Sequence, residues 1–298
     1  MIDSFLNYLK FERNRSELTV KSYADDLRAF EHFFRGLDDG LDWKDIDMDI
    51  VRQWMEHMMD SGNKPTSVRR RLSALRSFYR YALSRNLVEA DPTLKIKLPK
   101  TAKPLPQFVK EKEMDQLLGQ DLDAADFIAV RNYTITALLY ATGMRMAELM
   151  GLDDADVDFK GQSLKVTGKR NKQRIIPFGK ETAEILHYYI YIRQTSNLPS
   201  GGPLFVSSEG TRMTRSQIGY AVRKELSKVT TLKKRSPHVL RHSFATGMLN
   251  HDASLEAVRK LLGHASLATT QIYTHTTFEQ LRQSYHKAHP REKKDGES

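Results

Sequence analysis

The chain has no cysteine among its 298 residues. That absence excludes a thiol nucleophile, a disulfide framework, and any zinc or iron–sulfur centre built on thiolates. It agrees with a reducing compartment, and the expected location is the cytoplasm. Long apolar runs are missing too, since no stretch approaches the roughly 18 residues that a membrane span needs. The opening segment MIDSFLNYLKFERN lacks the apolar run and small-residue cleavage site of a signal peptide. No internal repeat is visible. Prolines number 10, and four of them, Pro92, Pro99, Pro104 and Pro106, crowd into one stretch.

Positive charge is what the chain has in excess. Forty-seven Lys and Arg face 37 Asp and Glu, giving a formal charge of +10 and a sequence pI of about 9.5. A surface of that sign suits a polyanionic partner. The length allows two domains, each with its own core.

Residues 1–88 have a helical pattern throughout. Ile2, Phe5, Leu6 and Leu9 form one stripe, Val20, Tyr23, Leu27, Phe30 and Phe33 a second, and Val51, Trp54, Met55 and Met58 a third. A fourth helix is expected after Pro65 with Thr66 as its cap, burying Val68, Leu72, Leu75, Phe78 and Tyr79. Its remaining surface carries Arg69, Arg70, Arg71, Arg76 and Arg80. Such a face is either solvated or a grip on a nucleic-acid backbone. Residues 89–110, EADPTLKIKLPKTAKPLPQFVK, then read as a proline- and lysine-rich linker.

A second domain is expected over 111–290. Helical patterns cover Glu113 to Leu118 and Phe127 to Tyr140, and Gly143 breaks the chain ahead of Arg145, which stands three residues before a bracing Glu148. The period then falls to two: Leu164 and Val166 alternate with Lys165 and Thr167, turn residues follow, and Gln173 to Pro177 returns. Lys169 and Lys172 flank the tip of this hairpin, and periodicity does not choose between them. Leu204 to Val206 suggests one more short strand, and Thr214 to Leu226 an amphipathic helix. Thr276 or Thr277 is expected to cap a last helix bearing Phe278, Leu281 and Tyr285, before a disordered tail over 291–298.

The densest chemistry lies in Ser236 to Thr274. Ser236 and Pro237 open a helix on which His238 and Arg241 share a face, and Ser254 to Gly263 encloses a second helix followed at once by His264. Tyr273 comes nine residues later. A titratable base beside a fixed charged fork suits work on phosphate.

These residues and motifs, ATGMRMAEL, VTGKRNKQRIIP, HVLRHSFAT and LLGHASLATTQIYTH, resemble the tyrosine recombinase or lambda-integrase-like family. In length and layout the chain is most similar to the bacterial Xer recombinases. The resemblance implies an N-terminal all-α, SAM-like four-helix core-binding domain and a C-terminal mixed α+β catalytic domain with a small antiparallel sheet. It assigns Arg145, Lys169, His238, Arg241 and His264 as the groups around a scissile phosphate and Tyr273 as the nucleophile. A phenol with a free pKa of about 10 needs a base and a means of absorbing charge on phosphorus, and this set provides both. The basic residues Arg69, Arg70, Arg71, Arg76, Lys172 and Arg174 are expected, on their charge and placement, to contact DNA. The resemblance further implies double-stranded DNA as partner, a nucleoid-associated enzyme, and four identical or mixed subunits on two DNA sites joined through the C-terminal helix. It implies no metal, no cofactor, no small-molecule substrate and no membrane.

Three rivals stand beside this expectation. His238 and His242 are four apart on a helix, as in a zinc hydrolase, but Val239 occupies the place where such a site needs glutamate. A binding-only architectural protein would have no use for the tyrosine. A type IB topoisomerase shares the chemistry but acts as a monomer. Within the family, chromosome dimer resolution, inversion of a segment and movement of a mobile element all employ the same six residues.

Overall fold

The computed structural model describes residues 1–101, 107–168, 171–263 and 275–291, with the side chains of 275–278 left aside. The chain divides into two compact units, Met1–Pro104 and Leu105–Ser298.

In the first unit, α1 (Ile2–Asn7) runs into a π-helical turn (Tyr8–Glu12), followed by α2 (Glu17–Leu37), α3 (Met48–Asp60) and α4 (Pro65–Ser84). Ser16 caps α2 through its side chain and Asp47 caps α3. Helix α4 starts two residues earlier than expected, with Pro65 in its first turn and Lys64 rather than Thr66 at the cap, because proline needs no amide partner there. The stripes meet in an aromatic core around Phe5, Phe30, Phe34, Trp43, Trp54 and Phe78. Trp43 lies at its centre, its indole donating to Glu31 (3.0 Å) and its carbonyl accepting from the Tyr79 hydroxyl (3.0 Å).

The arginines of α4 turn mainly to the protein itself. Arg69 donates to the Pro99 carbonyl (3.1 Å) and Arg76 to that of Ile96 (2.6 Å). Arg70 forks onto buried Asp26, with Arg71 alongside. Thr93 and Ile96 are buried in this unit, so the start of the expected linker is tied down rather than free.

The second unit is built around α6 (Phe127–Thr142), which is buried on nearly every side. A helix apolar all round belongs in the middle of a core. Its threonines fit there because the hydroxyls of Thr134, Thr136 and Thr142 each donate to the carbonyl four residues back, at 2.6–2.9 Å. Around it lie α5 (Glu111–Leu118), α7 (Met146–Met150), α8 (Lys180–Thr195), α9 (Arg215–Ser227), α10 (Pro237–Asn250), α11 (Leu255–Leu262) and α12 (His275–Ala288).

The sheet is antiparallel in the order β1-β2-β3, with β1 Val157–Asp158, β2 Ser163–Thr167 and β3 Gln173–Pro177. Its register pairs Leu164 with Ile176 and Val166 with Arg174. The expected strand at Leu204–Val206 is not in it. Those residues are buried, but side chains claim two of their carbonyls, Tyr189 and Arg193 taking Leu204 and Arg131 taking Val206, while that of Phe205 accepts the Met213 amide. The third strand is instead the two-residue edge β1, too short to show a period.

Helix α12 begins at His275, so neither Thr276 nor Thr277 is its cap. Leu281 and Tyr285 pack in the same chain against Phe244 and Met248 of α10 and Val258, Leu261 and Leu262 of α11. Arg291, expected in the tail, is ordered by ion pairs to Glu181 and to Asp115 (3.0 Å). Residues 292–298 of that tail lie outside the described residues.

Candidate active site

Two left-handed glycines set the site's frame. Gly143 ends α6 at φ +59°, and a Cβ there would stand 2.4 Å from the Phe244 ring, so both backbone and space demand glycine. The turn delivers Arg145 to the cap of α7. There the Arg145 amide donates to Glu148 (2.7 Å), and its guanidinium reaches the same carboxylate (3.0 Å). Gly263 ends α11 at φ +64°, with the Arg174 guanidinium filling the space a Cβ would need, 2.9 Å from its Cζ.

The C-terminal end of α11 is where the arginines converge. Arg174 Nε donates to Leu261 O (3.2 Å), Arg241 Nη2 to Leu262 O (2.7 Å) and Arg145 Nη2 to Gly263 O (3.2 Å). Three successive carbonyls without helical partners are thus each taken by a different guanidinium, at the helix end whose partial charge is negative. Arg241 also donates to Gly143 O (2.7 Å), which joins α10 to both turns.

Glu148 is the counter-charge of this cluster. It is buried and accepts two bonds from Arg174, at 2.6 and 2.9 Å. Burial pushes its carboxyl up, and the Arg174 and Arg145 donors outweigh burial, holding it below the usual carboxylate range. Arg241 is lowered to about 10 by burial first and by the nearby Arg145 charge second, and it remains a cation at neutral pH. Among the described residues three guanidiniums gather around one carboxylate, an arrangement of positive charge suited to a phosphate.

His238 sits in the first turn of α10, exposed. Partial burial, then the charges of Lys234, His242, Arg241 and Arg215, lower its pKa from the ordinary histidine value. An imidazole held neutral in a positive field is fitted to accept a proton.

Lys169, His264 and Tyr273 lie outside the described residues. The described neighbours of the first two approach the cluster. Gly168, just before Lys169, would carry a Cβ 3.3 Å from Glu148 Oε1, and the Gly263 carbonyl, just before His264, accepts from Arg145. Of the two hairpin residues expected to touch DNA, Lys172 is exposed and Arg174 is not. Arg174 is corrected: its three donor groups are committed inside the protein. Strand alternation carried the signal, because Arg174 stands two residues before buried Ile176 and so faces inward. Among the described residues no group of three or more His, Asp and Glu is arranged to hold a metal ion.

Comparison with known proteins agrees with this layout. Residues 107–280 match the sequence profile of the phage integrase family, and residues 2–86 that of the phage integrase N-terminal SAM-like domain. A protein named tyrosine recombinase XerC from Pediococcus pentosaceus is 39% identical over 300 residues, covering 98% of each chain. Another of that name from Chlorobaculum tepidum is 36% identical over 316 residues, covering 97% of this chain and 94% of the relative. The solved structure of the XerH site-specific recombinase bound to a palindromic difH substrate, a post-cleavage complex, shares the fold. Its TM-score is 0.68 at 22% identity, covering 95% of this chain and 84% of that one. The chain belongs to the phage integrase family, the tyrosine-type site-specific recombinases that cleave and rejoin DNA.

Proposed function

We propose that this recombinase resolves chromosome dimers in the Xer manner, cutting and rejoining one strand at a time through a 3′-phosphotyrosyl bond. The observation that carries the chemistry is the convergence of Arg145 and Arg241 on adjacent carbonyls at the end of α11, with His238 on the same helix as Arg241. Two fixed forks hold the two non-bridging oxygens of the scissile phosphate. Tyr273 attacks phosphorus and the phenol proton passes to His238, His264 adds a hydrogen bond to the phosphate, and Lys169 protonates the departing 5′ oxygen. Bond energy stays in the phosphotyrosine, so the 5′ hydroxyl of another strand reverses the step. Metal and ATP have no part in it.

The enzyme works as four subunits, of one or two kinds, on two DNA sites. Each α12 leaves the groove between α10 and α11 of its own chain for the same groove of a neighbour. Exchange of an identical element preserves its contacts, which makes assembly inexpensive. Arg80 and Lys172, both exposed, add to the DNA surface together with donor capacity left on Arg69, Arg70, Arg71 and Arg76.

Covalent capture on the source genome tests this. Cells are lysed in detergent and chelator, protein-linked DNA is recovered and sequenced, and a Tyr273→Phe chain is run in parallel. Adducts at a single chromosomal locus, absent with Tyr273→Phe, are expected. Adducts at the two borders of one segment would replace dimer resolution with inversion or transposition, and equal background from both chains despite DNA binding would leave an architectural protein.

A further inference from the structure

We infer that Arg174 is a positioning residue of the strand-cutting site, holding the charge of Glu148 so that Arg145 keeps its own for phosphate. This rests on the recombinase reading above. The Glu148 carboxylate is shared unequally. Arg174, whose side chain is only 9% exposed, grips both oxygens, at 2.6 and 2.9 Å. The Arg145 guanidinium, 41% exposed, makes a single contact with one of them at 3.0 Å, beside the Arg145 amide that donates to the other at 2.7 Å.

A buried carboxylate cannot stay ionised without a partner. With Arg174 withdrawn, the nearest fork is Arg145, already in contact. Glu148 would then draw Arg145 into a two-pronged pair, or take up a proton and stop bracing it. Either way the first guanidinium of the site is lost to phosphate. Arg174 also fixes the turn that Arg145 holds, since its Nε binds Leu261 O and its Cζ lies where a side chain on Gly263 would be. Arg174 therefore acts on Arg145 from behind, without access to DNA.

The role is electrostatic, so it depends on the Glu148 charge. A double-mutant cycle with Arg174→Gln and Glu148→Gln tests it. The readout is single-turnover formation of the Tyr273 adduct on a nicked duplex carrying the site recovered by covalent capture, at saturating DNA, with Kd measured separately. Arg174→Gln is expected to slow adduct formation at least about tenfold while moving Kd less than about threefold. In the Glu148→Gln background, the same substitution is expected to cost less than about threefold, because no buried charge is left to hold.

An Arg174→Gln chain that cuts at the wild-type rate overturns the inference. So does an equal loss in both backgrounds, which would make Arg174 a scaffold residue only. If Arg174→Gln alone fails to fold, Arg174→Lys, which cannot grip both oxygens, replaces it in both backgrounds and is read by the same criterion. A wild-type chain that forms no adduct overturns the recombinase reading itself.

Discussion

At the scale of the residue, the site's behaviour turns on which groups are charged at neutral pH. Arginine keeps its charge even where burial and a neighbouring cation lower Arg241 to about 10. Histidine does not, and the lowered pKa of His238 suits the base role proposed for it. A base works in its neutral form, so adduct formation should be constant across neutral pH and fall in acid as pH drops through the His238 pKa, at a point below the ordinary value of about 6.5. His238→Gln should lower the rate by about 10²–10⁴-fold and remove that acid limb. The check is a pH–rate profile of single-turnover cleavage for both chains. An acid limb that persists in His238→Gln would assign the base to another group.

At the scale of the element, the frame was legible in the sequence because it is written in glycine, proline and apolar spacing. Gly143 and Gly263 announced the two turns, Ser254 its cap, and the 163–177 hairpin its alternation. What was missed turns on tertiary partners, although β3's alternation already marks Arg174 as inward-facing. Arg174 looks like a hairpin cation until β3 turns it inward onto Glu148. Leu204–Val206 looks like a strand until the side chains that claim two of its carbonyls are known. Helix α8 carries aromatic and branched residues on several faces, so no single stripe marks it.

The seat of α12 is another tertiary outcome, and it is sensitive to acid. His289, one residue past the helix, is buried against Tyr285, Tyr140 and Phe244, with Arg291, His251 and His286 nearby. Burial lowers its pKa to about 3. A histidine whose folded pKa lies below its unfolded value leaves stability intact above about pH 6.5 and drains it as pH falls toward the folded value. At pH 5 the loss is about 2 kcal/mol. His289→Phe keeps the aromatic packing and should abolish that loss. Urea unfolding at pH 7.5 and pH 5 reads it as a difference of differences, in which other titrating groups cancel, and an unchanged acid penalty in His289→Phe would place its origin elsewhere.

At the scale of the whole molecule, the proposed exchange of α12 would let the same contacts serve two states. Leu281 and Tyr285 fill a groove of their own chain, and Arg291 fastens the segment by ion pairs to Glu181 on α8 and Asp115 on α5. The proposed exchange would leave the groove contacts equal on both sides, so the balance would be set by whatever holds α12 at home. The Arg291 pairs are such a hold only where they form within one chain. Partly exposed, they contribute about 1–2 kcal/mol. Arg291→Ala should therefore favour exchange and lower the concentration at which two DNA-bound pairs assemble by about 5- to 30-fold. Deletion of 275–298 should abolish assembly while leaving DNA binding. Sedimentation of the DNA-bound chain over a concentration series separates the cases. An assembly curve for Arg291→Ala that superimposes on the wild type would show the pairs form equally across subunits. A curve shifted to higher concentration would show that they fasten the assembled state instead.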